Sequence, residues 1–318
     1  MKKGTIVSLI VAVALVLMGS ILVTLGFSYA GGLEDMTMQA EKTYVVKEPF
    51  TSIQVDTTVC DVTFVKTDGE FRAVCPDSKK LSYTVTVEGN TLHVRQVDLR
   101  RWYDFIGIHL GRQEMTLHLP ESQYDALRID NDTGDVFVPE DFSFTVAEVF
   151  TSTGDVNFSA GVSERLTTSA STGHISIRGS SPAMAQISAS TGSVTLQDMA
   201  CGDCFIKTTT GKVTIADLTC QTLDCESGTG NKYLKEVVAE QYIKAISTTG
   251  KLELLGCDAP ELTIRTSTGD VTGVLLTPKE FFANTGTGKV RIADHSGTVN
   301  GKCYVNSSTG DITFSYQE

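Results

Sequence analysis

From residue 127 to the C-terminus, apolar and polar residues alternate in short runs that restart on a fixed clock. The clock is a Thr-Gly dipeptide, with glycines at Gly134, Gly154, Gly173, Gly192, Gly211, Gly230, Gly250, Gly269, Gly288 and Gly310. The intervals are 20, 19, 19, 19, 19, 20, 19, 19 and 22 residues. Two and four positions after the glycine stand pairs such as Val136 and Val138, Val156 and Phe158, Ile175 and Ile177, with a mostly polar residue between them. Seven and five positions before it stand Leu127 and Ile129, Ala147 and Val149, Leu262 and Ile264. A period of two is the mark of a strand with one face turned inward. Three positions before the glycine the residues are small (Thr151, Ala170, Ala189, Thr208), which lets two strands converge on a corner. A third apolar column, seven positions after it, holds Met199, Leu218, Val237, Cys257 and Leu276. Lys232 and Gly273 are departures within otherwise apolar columns.

No stretch of this region has helical periodicity. A fixed period of about 20 residues means stacked coils, each too small to bury its own apolar face. The expected fold is therefore all-β: a parallel β-helix or solenoid of about ten 19–20-residue coils over residues 127–318. Whether each coil has two or three faces stays open. The glycine serves as a corner with positive φ, where a side chain would be strained.

Residues 44–126 lack the clock but are also rich in strands. Ile53, Val55, Thr57 and Val59 alternate, then Val62 and Phe64. The run Tyr83 to Val87, a turn at Gly89 and Asn90, and Leu92 to Val94 predict a hairpin. The segment from Met115 to Leu119 leads through Pro120 into the first coil. This region is expected to be a strand-rich cap over one end of the solenoid, which stacked repeats need.

Ahead of it, Lys2 and Lys3 precede an apolar run over residues 6–27. Those 22 residues would extend about 33 Å as a helix, enough for a bilayer core. Positive charge on the near side, with Glu34 and Asp35 on the far side, orients the chain. The expectation is a cytoplasmic tip (residues 1–5), one transmembrane helix (residues 6–27), a linker (residues 28–43), and an extracytoplasmic remainder held at the cytoplasmic membrane. A cleaved signal peptide ending at Ser28-Tyr29-Ala30 is the rival, although its apolar region usually runs to only about 7–15 residues.

Charge narrows the partners. The chain has 26 basic and 38 acidic residues, a net −12. Without Lys2 and Lys3 the exported part carries 24 against 38, a net −14. An acidic surface lacks the footprint of a nucleic-acid binder.

The layout resembles the putative-adhesin family of bacterial β-strand-repeat proteins, a LiaG-like family with a domain of unknown function. The resemblance rests on the N-terminal apolar segment, Phe50-Thr-Ser-Ile53-Gln-Val55, the strand ending Leu119-Pro120, and the units at 152–156, 267–271 and 308–312. It covers residues 44–318 and implies a membrane-anchored, adhesin-like or envelope-stress module with a β-helical ectodomain. It carries over no catalytic residues.

The candidate chemistry is sparse. Cys201, Cys204, Cys220 and Cys225 have a spacing close to that of a zinc ribbon, but the repeat places Cys201 and Cys220 in one column and Cys204 and Cys225 in apolar columns. Buried thiols with one or two disulfides are expected. Cys201 with Cys220 comes first, because stacked residues fall within disulfide Cα range, and Cys60 with Cys75 second. Asp130, Asp132 and Asp135 surround the first corner without the spacing of a calcium loop. The residue after each glycine (Asp135, Asp155, His174, Ser193 and so on) forms a mixed ladder expected to protect an edge. The five histidines form no metal pair, and no nucleophile–base signature is present. The expectation is no enzyme, no metal and no cofactor. Arg101, Trp102, Tyr103 and Phe105 combine residue types that favour protein contacts, and the C-terminal coil would leave an open strand edge for self-association. The partners expected are the membrane, a protein or cell-wall polymer, and a second copy, not nucleic acid. A self-assembling envelope scaffold or a polysaccharide-binding or -processing helix is the alternative.

Overall fold

The computed structural model describes residues 15–21, 40–77, 81–99, 113–295 and 297–317. Among them, 24 strands form one continuous hydrogen-bonded sheet wound into a parallel solenoid. The regular part runs in chain order from β8 (Gln123–Thr133) and β9 (Val136–Val138) through β10 (Ser143–Thr153), β11 (Val156–Phe158), β12 (Gly161–Thr172), β13 (Ile175–Arg178) and β14 (Met184–Thr191). It continues through β15 (Val194–Thr210), β16 (Val213–Thr229), β17 (Lys232–Thr249) and β18 (Leu252–Cys257). Like positions stack like for like: Val136, Val156, Ile175, Val194 and Val213 are successive register partners. All five are buried, as are the residues two positions further on.

The middle levels have three faces. β15 and β16 pair not only before and after the glycine corner but along a third stretch, Met199 to Cys201 against Leu218 to Cys220. In the levels of Gly173, Gly192, Gly211, Gly230 and Gly250 the corner between the second and third faces lies six residues after the glycine. It has left-handed backbone at Gly179, Asp198, Asp217, Glu236 and Gly256, with φ of 68°, 54°, 55°, 54° and 63°. Aspartate tolerates this conformation better than glutamate. Glu236 therefore carries the greater strain, and its exposed ion pair with Lys235 (3.5 Å) offsets little of it. Glu236→Gly should raise stability by about 0.5–1 kcal/mol, read as an upward shift in the urea midpoint; an unchanged or lower midpoint would show the corner to be unstrained.

The third apolar column ends one residue earlier than its spacing suggests. A bulge between Leu255 and Cys257 puts Cys257 opposite Leu275. Leu275 is fully buried while Leu276 is 42% exposed, because the later level has one residue fewer at this corner.

At the Thr-Gly corners, nine of the ten glycines have φ between +135° and +154°. Close stacking adds a second constraint. A Cβ on Gly192 would lie 1.8 Å from the carbonyl oxygen of Gly173 one level below, and one on Gly211 1.8 Å from that of Gly192. The backbone ladder passes straight through the corner, Gly154 N donating to Thr172 O at 2.9 Å and Gly173 N to Thr191 O at 2.9 Å.

Chain order breaks at both ends of the stack. At the N-terminal end, β2 (Ser52–Val59) and β3 (Asp61–Lys66) lie directly under β8 and β9. Beyond them comes the level formed by β6 (Thr91–Asp98) and β7 (Glu114–Leu119). Antiparallel strands then close this end: β5 (Leu81–Glu88) on β6, β4 (Arg72–Asp77) on β7, and β1 (Ala40–Val45) on β4.

At the other end, β19 (Glu261–Thr268) and β20 (Val271–Leu275) are followed not by β21 (Glu280–Thr287) and β22 (Val290–Ile292) but by β23 (Lys302–Thr309) and β24 (Ile312–Tyr316). β21 and β22 then stack outside β23 and β24 as the last level. The open edge expected on the C-terminal coil therefore belongs to β21 and β22, and the C-terminal coil is interior. This order also explains Gly273. It faces Phe314 in register, and a Cβ there would lie 2.2 Å from the Phe314 ring. Residues 276–279 step outward past one level, and the 22-residue final interval supplies the chain that steps back. Ten Thr-Gly levels and two more below them stack over about 53 Å at the usual strand spacing.

Residues 15–21 are helical. Among the described residues no helix is long and apolar enough to cross a membrane, and the rest of residues 6–27 lies outside them.

Candidate functional site

The residues after the corner glycines form a chain of side-chain to backbone hydrogen bonds. Asp61 accepts from Asp135 N (2.8 Å), Asp135 from Asp155 N (2.9 Å), and Asp155 from His174 N (2.7 Å). His174 continues it by accepting from Ser193 N through Nδ1 (3.0 Å). The pattern recurs where Asn231 accepts from Lys251 N (2.9 Å), Asp270 from Asp311 N (2.8 Å) and Asp311 from Lys289 N (2.8 Å). The Lys289 amide, with Arg291 beside it, holds the Asp311 carboxyl below its usual range. Each acceptor satisfies an amide the corner leaves unpaired, which is why Asp and Asn recur here. Asp130 is engaged by Arg128 (2.7 Å), and among the described residues no three ligating side chains converge on a metal position.

Two lysines lie inside the solenoid. Lys232, one of the two sequence departures, is fully buried; its Nζ donates to Ser227 Oγ and to Ile246 O (2.7 Å). Burial pushes its pKa down. Lys279 is 2% exposed and pairs with Asp258 (2.5 Å), also donating to Thr277 Oγ1 (2.8 Å) and Asn300 O (2.5 Å). Lys279 was not singled out in the sequence because it lies in the connection before β21, outside the repeating columns.

All eight cysteines are free thiols, and seven are buried. Cys60 and Cys75 share the N-terminal end with Tyr83 and Gln96; Gln96 donates to the Tyr83 hydroxyl (3.0 Å) and accepts from the amide of Val59 (3.0 Å). Burial pushes the Cys60 thiol up to about 11 and the Cys75 thiol to about 12, with Cys60 adding to the second. Cys201 and Cys220 are register partners on adjacent levels. Cys204 stacks under Leu223, and Cys225 on Ile206. Cys201 also neighbours Cys204 across the corner between them: Cys201 packs against the core and Cys204 is fully buried, close enough for each thiol to shift the other's pKa. That contact crosses two columns, so column-by-column reading missed it.

Two surface features remain. A shallow polar groove near the N-terminal end is lined by Asp56, Arg95, Asp130, Asp132 and Phe150. At the opposite end, the last level leaves its inward positions uncovered: Val290 is 43% exposed, and Phe281, Ala283 and Ile292 are only half-buried. Arg101, Trp102, Tyr103 and Phe105 belong to the segment joining β6 to β7 and lie outside the described residues.

No curated protein matches the chain. Among solved structures, it is similar to a "putative lipid binding protein" from Parabacteroides distasonis ATCC 8503 at 10% identity, covering 86% of this chain and 96% of that one with a TM-score of 0.40. It is also similar to a "putative adhesin" from Bacteroides fragilis NCTC 9343 at 15% identity, covering 87% and 97% with a TM-score of 0.33. The Toastrack family profile, DUF4097, matches residues 50–217 and again 202–318. Those two spans take in nearly all of the solenoid, and the chain belongs to the Toastrack DUF4097 family.

Proposed function

We propose that the protein is a non-enzymatic, adhesin-like module of the bacterial cell envelope, anchored in the cytoplasmic membrane by residues 6–27 and contacting its partner through the uncovered level of β21 and β22. The observation that carries this reading is the asymmetry of the two ends. The antiparallel strands β1, β4 and β5 cover the end from which the chain leads back to its N-terminal segment. The distant end is left with an unpaired strand edge beside half-buried apolar side chains. An anchored solenoid of this kind holds the open edge of β21 and β22 about 53 Å from the level of β6 and β7, on the strand spacing used above. An unpaired edge adds strands from another chain, or from a second copy in two-fold pairing.

Two experiments test the reading. Protease applied to intact cells expressing the full-length chain should release the solenoid by cutting within residues 28–43; complete protection would overturn the orientation. Cells displaying Val290→Lys or Ala283→Glu should lose about tenfold in surface attachment or clustering, because a charge on an exposed edge blocks strand addition. Unchanged attachment would exclude β21 and β22 as the contact. A light-scattering mass of the detergent-solubilised protein separates self-pairing, which gives a dimer abolished by the same substitutions, from attachment to another partner.

A further inference from the structure

The solenoid contains a thiol pair that neither the family nor the proposed adhesive role assigns. Cys201 and Cys204 flank a corner whose apex is Gly202. A Cβ on Gly202 would lie 2.3 Å from Ala183 O on the level below, so this corner is drawn tight against its neighbour. Both side chains turn inward there. Cys201 is half-buried and packs against the core, while Cys204 behind it is fully buried. Cys220 is the register partner of Cys201 and is 2% exposed. Of this cluster, only Cys201 is open to solvent.

We infer that Cys201 and Cys204 form a dithiol site that exchanges with low-molecular-weight disulfides and closes to an intramolecular disulfide. The Cys201 thiolate attacks one sulfur of the external disulfide, forming a mixed disulfide and releasing one thiolate. Cys204 then loses its proton and attacks the Cys201 sulfur, breaking the mixed disulfide and releasing the second thiolate. The two released thiolates take up the two protein protons, so one external disulfide is reduced to two thiols as one protein dithiol is oxidised. The Cys-x-x-Cys spacing suits this sequence of attack and resolution.

Two further observations agree. The neighbouring Cys204 thiol holds Cys201 below its ordinary value, while Cys204 itself is pushed up by Cys201 and by burial. Burial pushes Cys220 up to about 12, leaving Cys201 as the more nucleophilic of the three. The stacked pair is also less suited to closure. Side chains in register on adjacent parallel strands stand about 4.8 Å apart, beyond the Cβ separation of about 3.5–4.5 Å that a disulfide adopts.

The full-length protein, reduced and then treated with oxidised glutathione, tests this by alkylation and peptide mass spectrometry. The expected product is a Cys201–Cys204 loop, with Cys60, Cys75, Cys220, Cys225, Cys257 and Cys303 still alkylated. Cys204→Ala should accumulate glutathione on Cys201. Alanine is tolerated in that column, where Ala185 occupies the level below. In the wild-type protein, a maleimide should label Cys201 at least about tenfold faster than any other cysteine. A Cys201–Cys220 link, or eight thiols still reduced after exposure to oxidised glutathione, would overturn the inference. So would a Cys204→Ala protein without the adduct, or labelling of Cys201 no faster than of Cys220. None of these outcomes depends on the adhesive reading.

Discussion

Gly192→Ala should remove about 4–5 kcal/mol of stability or more, enough to split the stack rather than dent it. Two costs coincide at this corner. The residue has φ of +143°, which an L side chain rarely adopts, and its new Cβ would lie 1.8 Å from the backbone oxygen of Gly173. A flexible side chain could move aside, but a carbonyl in a continuous ladder moves only if two levels separate. Gly89→Ala is the control. Gly89 has φ of +63° with nothing within 4 Å of the added Cβ, so only the backbone term of about 1 kcal/mol applies. Urea unfolding followed by circular dichroism should show the wide gap between the two variants, and for Gly192→Ala a second transition as the levels on either side unfold separately. Equal losses at the two sites would mean that the corner glycines serve φ alone.

Lys232→Met should stabilise the protein, by about 2 kcal/mol at neutral pH. The amine is fully buried and hydrogen-bonds to neutral oxygens of Ser227 and Ile246. Replacing a buried charge by an apolar side chain of similar length commonly stabilises by about 1–4 kcal/mol. Both oxygens keep other partners: Ser227 still meets Ser247 Oγ at 3.2 Å, and Ile246 lies in a strand paired on both sides. The pH dependence fixes the cause. Burial lowers the folded-state pKa of Lys232 below the ordinary 10.5. Between those two values the unfolded chain binds the proton more tightly, so wild-type stability climbs as pH rises through that window. The advantage of Lys232→Met should therefore be full below the folded-state value and shrink towards pH 10.5. An advantage independent of pH would trace the effect to packing rather than to the charge.

The coil itself was legible in the sequence because the constraint repeats. Ten corners with the same steric demand leave ten glycines at one spacing, and period-two alternation assigns the faces. The mixed ladder after the glycines was read as edge protection; that its Asp, Asn and His members accept from the backbone amides of the next level was not legible. Which level neighbours which was not legible. Phe281 and Cys303 occupy the same column, and alternation reports only that a side chain turns inward, not what lies above it. The signs of the exchange at the C-terminal end were Gly273, a missing side chain opposite Phe314, and the long last interval. Both read as departures until the stacking order explained them. The Cys201–Cys204 contact stayed hidden for a related reason: a column treats Cys as another small apolar residue, and this contact runs around a corner.

The exchanged order at both ends bears on how the chain reaches its native topology. Through the middle of the stack, each new level can dock on the one made just before it, so growth can follow synthesis. The last level cannot. β21 and β22 emerge before β23 and β24, yet the place they finally occupy exists only once β23 and β24 have seated on β19 and β20. At the start, β2 and β3 must likewise hold both faces for partners made later. Assembly is vectorial in the interior and out of order at the two ends, so each end is locked only when a later segment has passed it.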